Sequence, residues 1–309
     1  MEGAGGPARR LGVVRTAAVF PIDPDYGLSI SWGRGDAPLG RFETPMALRP
    51  DYRFTTGAPG WGRVATADAA AVDAGLRAYM LRVYNWMASG LLLTGIVALL
   101  VVTVPSLQAL FYSAAMTPSG RVVMQPTILF WVAALSPLAF VLVLSFGINR
   151  LSKAATQALF WLFCVCMGAS LSNLAFRYTG ASIASTFFIT AGMYAAVSLY
   201  GYTTKADLTK MGSFLLMGLI GLILAGLVNI FLQSSALQFA ISVIGVLVFL
   251  GLTAFDTQRI KADYIEYSYA AGTDEAGKRS VLDALTLYLN FINLFQFLLQ
   301  LVGVRQNSE

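Results

Sequence analysis

The chain has 309 residues, of which 57% are hydrophobic and only 12% charged, with a mean hydropathy of +0.67. Soluble globular chains carry about 25% charged residues, so half that share argues for a membrane protein. The net charge of +5 does not signal nucleic-acid binding, because the basic residues fall in short segments between apolar runs and form no stripe with interleaved aromatics, the pattern by which membrane proteins set topology.

Residues 1–45 differ from the rest. Glycine (eight) and proline (five) occupy 13 of these 45 positions, among five arginines and five acids. Such density is that of a disordered stretch, and without an apolar h-region it is not a secretory signal. Met46 opens "MALRPDYRFTTGAPG" and is a plausible start, so residues 1–45 are either a real extension or an over-extended gene start. The expected organisation is a disordered extension over 1–74, a membrane domain over 75–304 and a short polar tail over 305–309.

The segment "GLRAYMLRVYNWMA" (75–88) carries Leu76, Tyr79, Leu81, Val83 and Tyr84 with Arg77 and Arg82, a pattern predicting an interfacial helix that leads into the bilayer. A bilayer-crossing helix needs ~20 mainly apolar residues. Seven runs qualify, at 85–105, 127–147, 157–175, 182–202, 213–233, 236–256 and 281–303. The last contains Asp283, Asn290, Asn293, Gln296 and Gln300, which suits a place inside the bundle or a partial crossing better than a lipid-facing one. Cys164 and Cys166, two apart on a helix, point away from each other and read as small apolar fillers. The small residues of "GLIGLILAG" (218–226) read as ordinary helix packing.

Lysine and arginine number ten on one set of alternate connections, taken with the approach to the first helix, and three on the other set. The positive-inside bias then puts the amino terminus in the cytoplasm.

Two polar features interrupt the apolar pattern. No charged residue occurs between Lys210 and Asp256, so the first charge closing the sixth run is an acid. An ionised carboxylate at mid-membrane costs about 2.5–3.5 kcal/mol on insertion scales. Such a residue faces the bundle or a water cavity, unless it is simply solvated at the interface beside Arg259 and Lys261. In the seventh run Asp283, Thr286, Asn290 and Asn293 recur at intervals of three and four, giving one polar face on a helix. Asp283 and Asn290 lie about 10.5 Å apart along the axis, too far to touch one partner closely.

Catalysis finds no support. An intramembrane aspartyl protease needs two facing acids, and only Asp256 has the setting. Histidine is absent, which removes a Ser–His pair, most catalytic triads and the commonest zinc ligand. No glycine-rich strand-to-helix turn for a phosphate is present. No catalytic residue, bound metal or cofactor is expected.

"FDTQRI" (255–260) and "ALTLYLNFINLFQFLLQL" (284–301), with "LSFGINRLSKA" (144–154), "GASLSN" (168–173) and "GLRAYMLRVYN" (75–85), resemble the Bax inhibitor-1 (transmembrane Bax inhibitor motif) family in its bacterial branch, over about residues 70–304. The resemblance implies an all-α membrane protein of seven transmembrane helices, the last one central and wrapped by the other six, in a bacterial inner membrane. It implies a pH-sensitive calcium leak, calcium being the permeant ion. The gate is two aspartates sharing hydrogen bonds and an arginine from the end of the second helix. On this sequence Asp256 is the first aspartate and Arg150 the arginine. Where the family usually reads "LYLDFINLF", residues 287–295 read "LYLNFINLF", and Asn290 replaces the second acid. Two adjacent carboxylates titrate as a coupled pair; an Asp–Asn pair has one titrating group and one negative charge fewer for a hard cation such as calcium. The expected leak is therefore weaker, with a shifted or blunted pH response. Relatives described as regulators of membrane proteases supply the alternative: a non-enzymatic regulator that binds a membrane protease or another integral membrane protein.

Overall fold

The computed structural model describes residues 61–116, 122–147, 150–268 and 273–306, with the side chains of 61–70, 122, 267, 268 and 273 outside the description. Of the predicted disordered extension over 1–74, residues 1–60 and the alternative start lie outside these residues, while residues 61–74 are helical and begin α1.

Seven helices are long and apolar enough to cross a membrane. They are α1 (Trp61–Thr103), α3 (Ile128–Gly147), α4 (Lys153–Leu171), α6 (Gly180–Thr203), α7 (Thr209–Leu232), α8 (Ser235–Asp263) and α9 (Thr273–Val302), with short helices α2 (Pro105–Phe111) and α5 (Leu174–Arg177) between them. Side-chain oxygens start several of these helices by accepting orphan backbone N–H groups: Ser152 from Ala155 before α4, Thr179 from Ser182 before α6, and Ser234 from Leu237 before α8. In α3, Pro137 cannot donate to the Ala133 carbonyl. The Ser136 hydroxyl donates to it instead at 3.0 Å, as a lipid-embedded backbone requires.

The lead-in over 75–88 is not a separate interfacial helix. It is continuous with the first span, and Leu76, Tyr79, Met80, Val83 and Met87 are buried in the protein core while Leu81 stays exposed. Their spacing of three and four makes a core-facing stripe, and Arg77 and Arg82 occupy the opposite, exposed face. A second departure lies between α2 and α3. Strands β1 (Tyr112–Met116) and β2 (Val122–Pro126) pair antiparallel. The Tyr112 ring is buried against Phe130 and Phe176, and its hydroxyl shares a 2.8 Å hydrogen bond with Ser172.

The last helix, α9, packs against α1, α4, α6 and α8, whereas α3 packs chiefly on α4 and α7 on α8. Burial follows that order: 56% of the most apolar window of α9 is buried, against 17% for α7. The polar residues of α9 are satisfied inside the protein. Tyr288 hydrogen-bonds Thr94 of α1 at 2.8 Å, and Gln300 accepts from Gln238 and Ser242 of α8 at 2.6 and 3.0 Å. Cys164 is fully buried and Cys166 half-buried, both as free thiols.

Helices α6 and α8 touch backbone to backbone at Gly201. A Cβ there would lie 2.3 Å from the Ala254 carbonyl oxygen and 2.9 Å from its Cα. Only glycine permits that approach, so Gly201→Ala must push the two helices apart. The expected cost is about 1–3 kcal/mol, the usual price of overpacking, read as a lowered melting temperature of the detergent-purified protein. An unchanged melting temperature would show that the two helices separate freely.

Candidate functional site

The site forms where the C-terminal third of α8 meets the middle of α9. Thr253 and Thr257 return their hydroxyls to the carbonyls four residues earlier, at 2.7 and 2.8 Å, so α8 continues undisturbed through Asp256. The Asp256 side chain is 7% exposed and uses both oxygens: the Arg259 guanidinium lies 3.0 Å from Oδ1, and the Asn290 amide donates to Oδ2 at 2.7 Å. Arg259 belongs to α8 itself, one turn on, and is 42% exposed. Both neighbours present donors, the arrangement that suits a carboxylate acting as acceptor only.

A hydroxyl chain lies beside this cluster. Tyr84 of α1 hydrogen-bonds Ser198 of α6, whose oxygen is 3.1 Å from that of Thr257. Tyr194 of α6 donates to the Leu287 carbonyl of α9 at 3.0 Å. The polar groups of this region thus come from four helices, with Arg259 and Asn290 on Asp256 itself.

The sequence-predicted residues separate into three groups. Asp256 and Asn290 are brought together. Asp283 is buried two turns earlier on α9 and accepts a 2.6 Å hydrogen bond from Tyr79 of α1, so the two polar positions of α9 serve different partners, as their spacing requires. Thr286 and Asn293 bond carbonyls of their own helix, Leu282 at 3.2 Å and Leu289 at 2.8 Å, and among the described residues make no side-chain hydrogen bond to another helix.

Arg150 is not brought to the acid. It lies exposed in the turn between α3 and α4, and among the described residues it makes no side-chain hydrogen bond or ion pair. The turn holds instead to the start of α9, through Lys153 to Asp274 at 3.3 Å and Lys278 to the Leu151 carbonyl at 3.5 Å. The cation beside Asp256 is Arg259, and its i, i+3 spacing is a local signal that the sequence does contain. Tyr79 and Ser198, by contrast, have no signal in one sequence, because their partners are supplied by helices far along the chain.

Among the described residues no three Cys, Asp or Glu side chains converge on a point that could cage a metal ion. A cation arriving at Asp256 would have to displace Arg259 or Asn290 from its oxygens.

A family model described as inhibitor of apoptosis-promoting Bax1 matches residues 76–307, all seven spans and both members of the Asp256–Asn290 pair included. The chain belongs to the Bax inhibitor-1 family. Among its relatives, a protein of Rickettsia prowazekii is 48% identical over 76% of this chain and 93% of its own length. A Caulobacter vibrioides protein is 47% identical over 79% and 96%. The inner membrane protein YbhL of Escherichia coli K12 is 46% identical over 75% and 94%. This Bax inhibitor-1 family member is therefore an integral membrane protein, and its match begins at the core-facing stripe of α1 and ends just beyond α9.

Proposed function

We propose that this Bax inhibitor-1 family member is a non-enzymatic cation leak pathway of a bacterial inner membrane, with calcium as the permeant ion and Asp256, Asn290 and Arg259 as its gate. The observation that carries the reading is a buried carboxylate held at the seam of α8 and α9 by one amide and one guanidinium. Ionisable residues inside membrane proteins are costly and concentrate on ion and proton pathways. The inner-membrane assignment draws on YbhL of Escherichia coli, so named, and the positive-inside bias of the sequence supports a cytoplasmic amino terminus and Arg259 end as part of the proposal.

In this proposal the resting carboxylate is occupied by its own donors, and a permeating cation competes with Arg259 for it. Arg150 is outside the closed arrangement. With one acid in place of two, the leak is weak and its response to pH blunted.

Purified protein in calcium-loaded vesicles tests the reading. Asp256→Asn keeps the size and removes the charge, and it is expected to change the leak about tenfold, the effect of roughly 1.4 kcal/mol at a cation site. A leak unaltered by Asp256→Asn would reduce Asp256 to a structural ion pair. A fully silent native protein would favour a regulatory role without conduction.

A further inference from the structure

Helices α1 and α6 both pack on α9 but are not packed on each other. The gap between them is a groove open to the side, in two stretches of about 530 and 580 Å³. Phe291 floors the first stretch, and Ile292 and Phe295 floor the second. The Tyr84–Ser198 hydrogen bond is the direct tie across the first stretch. The groove walls are apolar, and Leu81 and Leu199 beside it are exposed, facing what in a membrane is lipid.

The first stretch has a distinct end. Arg77, exposed on α1, and Tyr202 of α6 line its mouth. The Lys261 ammonium lies 5.0 Å from the centre of the Tyr202 ring and donates to the Tyr202 carbonyl at 2.9 Å. A tyrosine beside a lysine at a helix end is interfacial chemistry. From Met80 to Leu91 the groove follows α1 for about 16 Å at 1.5 Å per residue, close to half of a ~30 Å hydrocarbon core. The stretch is one leaflet deep, apolar along its length and cationic at its mouth.

We propose that this groove holds one phospholipid, its acyl chain between α1 and α6 and its anionic headgroup on Arg77. Inside a bilayer the apolar groove gains no hydrophobic driving force over surrounding lipid, so retention comes from close packing in the cleft. The choice of lipid comes from the headgroup, where one nearby basic side chain favours an anionic lipid by roughly fivefold. A lipid seated there also touches Tyr84 and Ser198, the start of the hydroxyl chain that ends on Thr257 beside Asp256. The site does not depend on whether the chain conducts.

The test is native mass spectrometry of the full chain, reconstituted in vesicles of equal phosphatidylglycerol and phosphatidylethanolamine and then transferred to detergent. One retained phospholipid is expected, phosphatidylglycerol exceeding phosphatidylethanolamine about fivefold. Ala195→Trp, an exposed groove position, should lower retention about tenfold, while Arg77→Gln should keep the lipid and lose the preference. Equal retention by the native protein and Ala195→Trp would overturn the proposal. So would equal amounts of the two lipids on the native protein, or a dimer that Ala195→Trp dissociates, which would give the groove to a second copy of the chain.

Discussion

Asn290→Asp is expected to raise the calcium leak of the reconstituted protein about tenfold and to make it steeply dependent on pH. The substitution places a second carboxylate at the point where the Asn290 amide now donates to Asp256 at 2.7 Å. An acid in that position can share a proton with Asp256 or stand ionised beside it, and either state replaces a fixed donor with a titrating group. Two carboxylates in contact titrate as a pair, with apparent values belonging to both. When both are ionised, they repel each other and attract a cation. Opposite unit charges about 4 Å apart interact by about 4 kcal/mol at an effective dielectric of 20; competition from Arg259 and water reduces the net gain to roughly 1.4 kcal/mol, a factor of ten. Flux from calcium-loaded vesicles at several pH values decides the matter. If the native protein already leaks steeply with pH and the substitution alters nothing, Asn290 is not the reason for any difference from its relatives.

Tyr79→Phe is expected to destabilise the protein by about 2 kcal/mol. The phenol is buried and donates at 2.6 Å to a buried Asp283 carboxylate; a hydrogen bond to a charged group contributes about 1.5–3 kcal/mol. Phenylalanine keeps the ring, whose centre lies 4.8 Å from that of Tyr264, so packing is preserved and only the donor is lost. At the 2–4 °C per kcal/mol typical of domains of this size, the melting temperature in detergent should fall by roughly 5 °C. A fall of less than a degree would mean that water reaches Asp283 and replaces the tyrosine. The substitution leaves Asp256 and its two donors untouched, so an altered calcium leak in the same variant would show that the two acids of this end act together.

Hydropathy alone places the seven spans within a few residues at most ends, because lipid imposes a long apolar run on each crossing helix. It misplaces the beginnings of α1 and α9. Both start earlier than the apolar runs suggest, since one face of each early turn, Leu76, Tyr79, Met80 and Val83 on α1 and Lys278 and Ser280 on α9, is buried against protein and the rest need not be apolar. The hairpin at 112–126 is absent from the sequence reading, although "TPSG" (117–120) between two short runs is turn-type chemistry. Its decisive contact, Tyr112 with Ser172, is between residues sixty positions apart. The Asp256–Asn290 pairing was legible through the family motif, whereas Arg150 came with that motif and stands apart from the acid here. Arg259 makes the ion pair because a residue one turn away on the same helix needs no tertiary movement to reach it.

The charge pair is internal to α8, so a slide or tilt of α8 against α9 carries Asp256 and Arg259 together and leaves them paired. At the acid the bond that such a motion breaks is the one from Asn290, a hydrogen bond to a charged group of about 1.5–3 kcal/mol; along the rest of the seam it also strains the Gln238–Gln300 and Ser242–Gln300 hydrogen bonds and the Arg279–Asp263 ion pair at 3.5 Å. At Asp256 itself the seam between α8 and α9 is therefore held by an amide rather than by a charge, and the strength of that one hold is set by the residue at position 290.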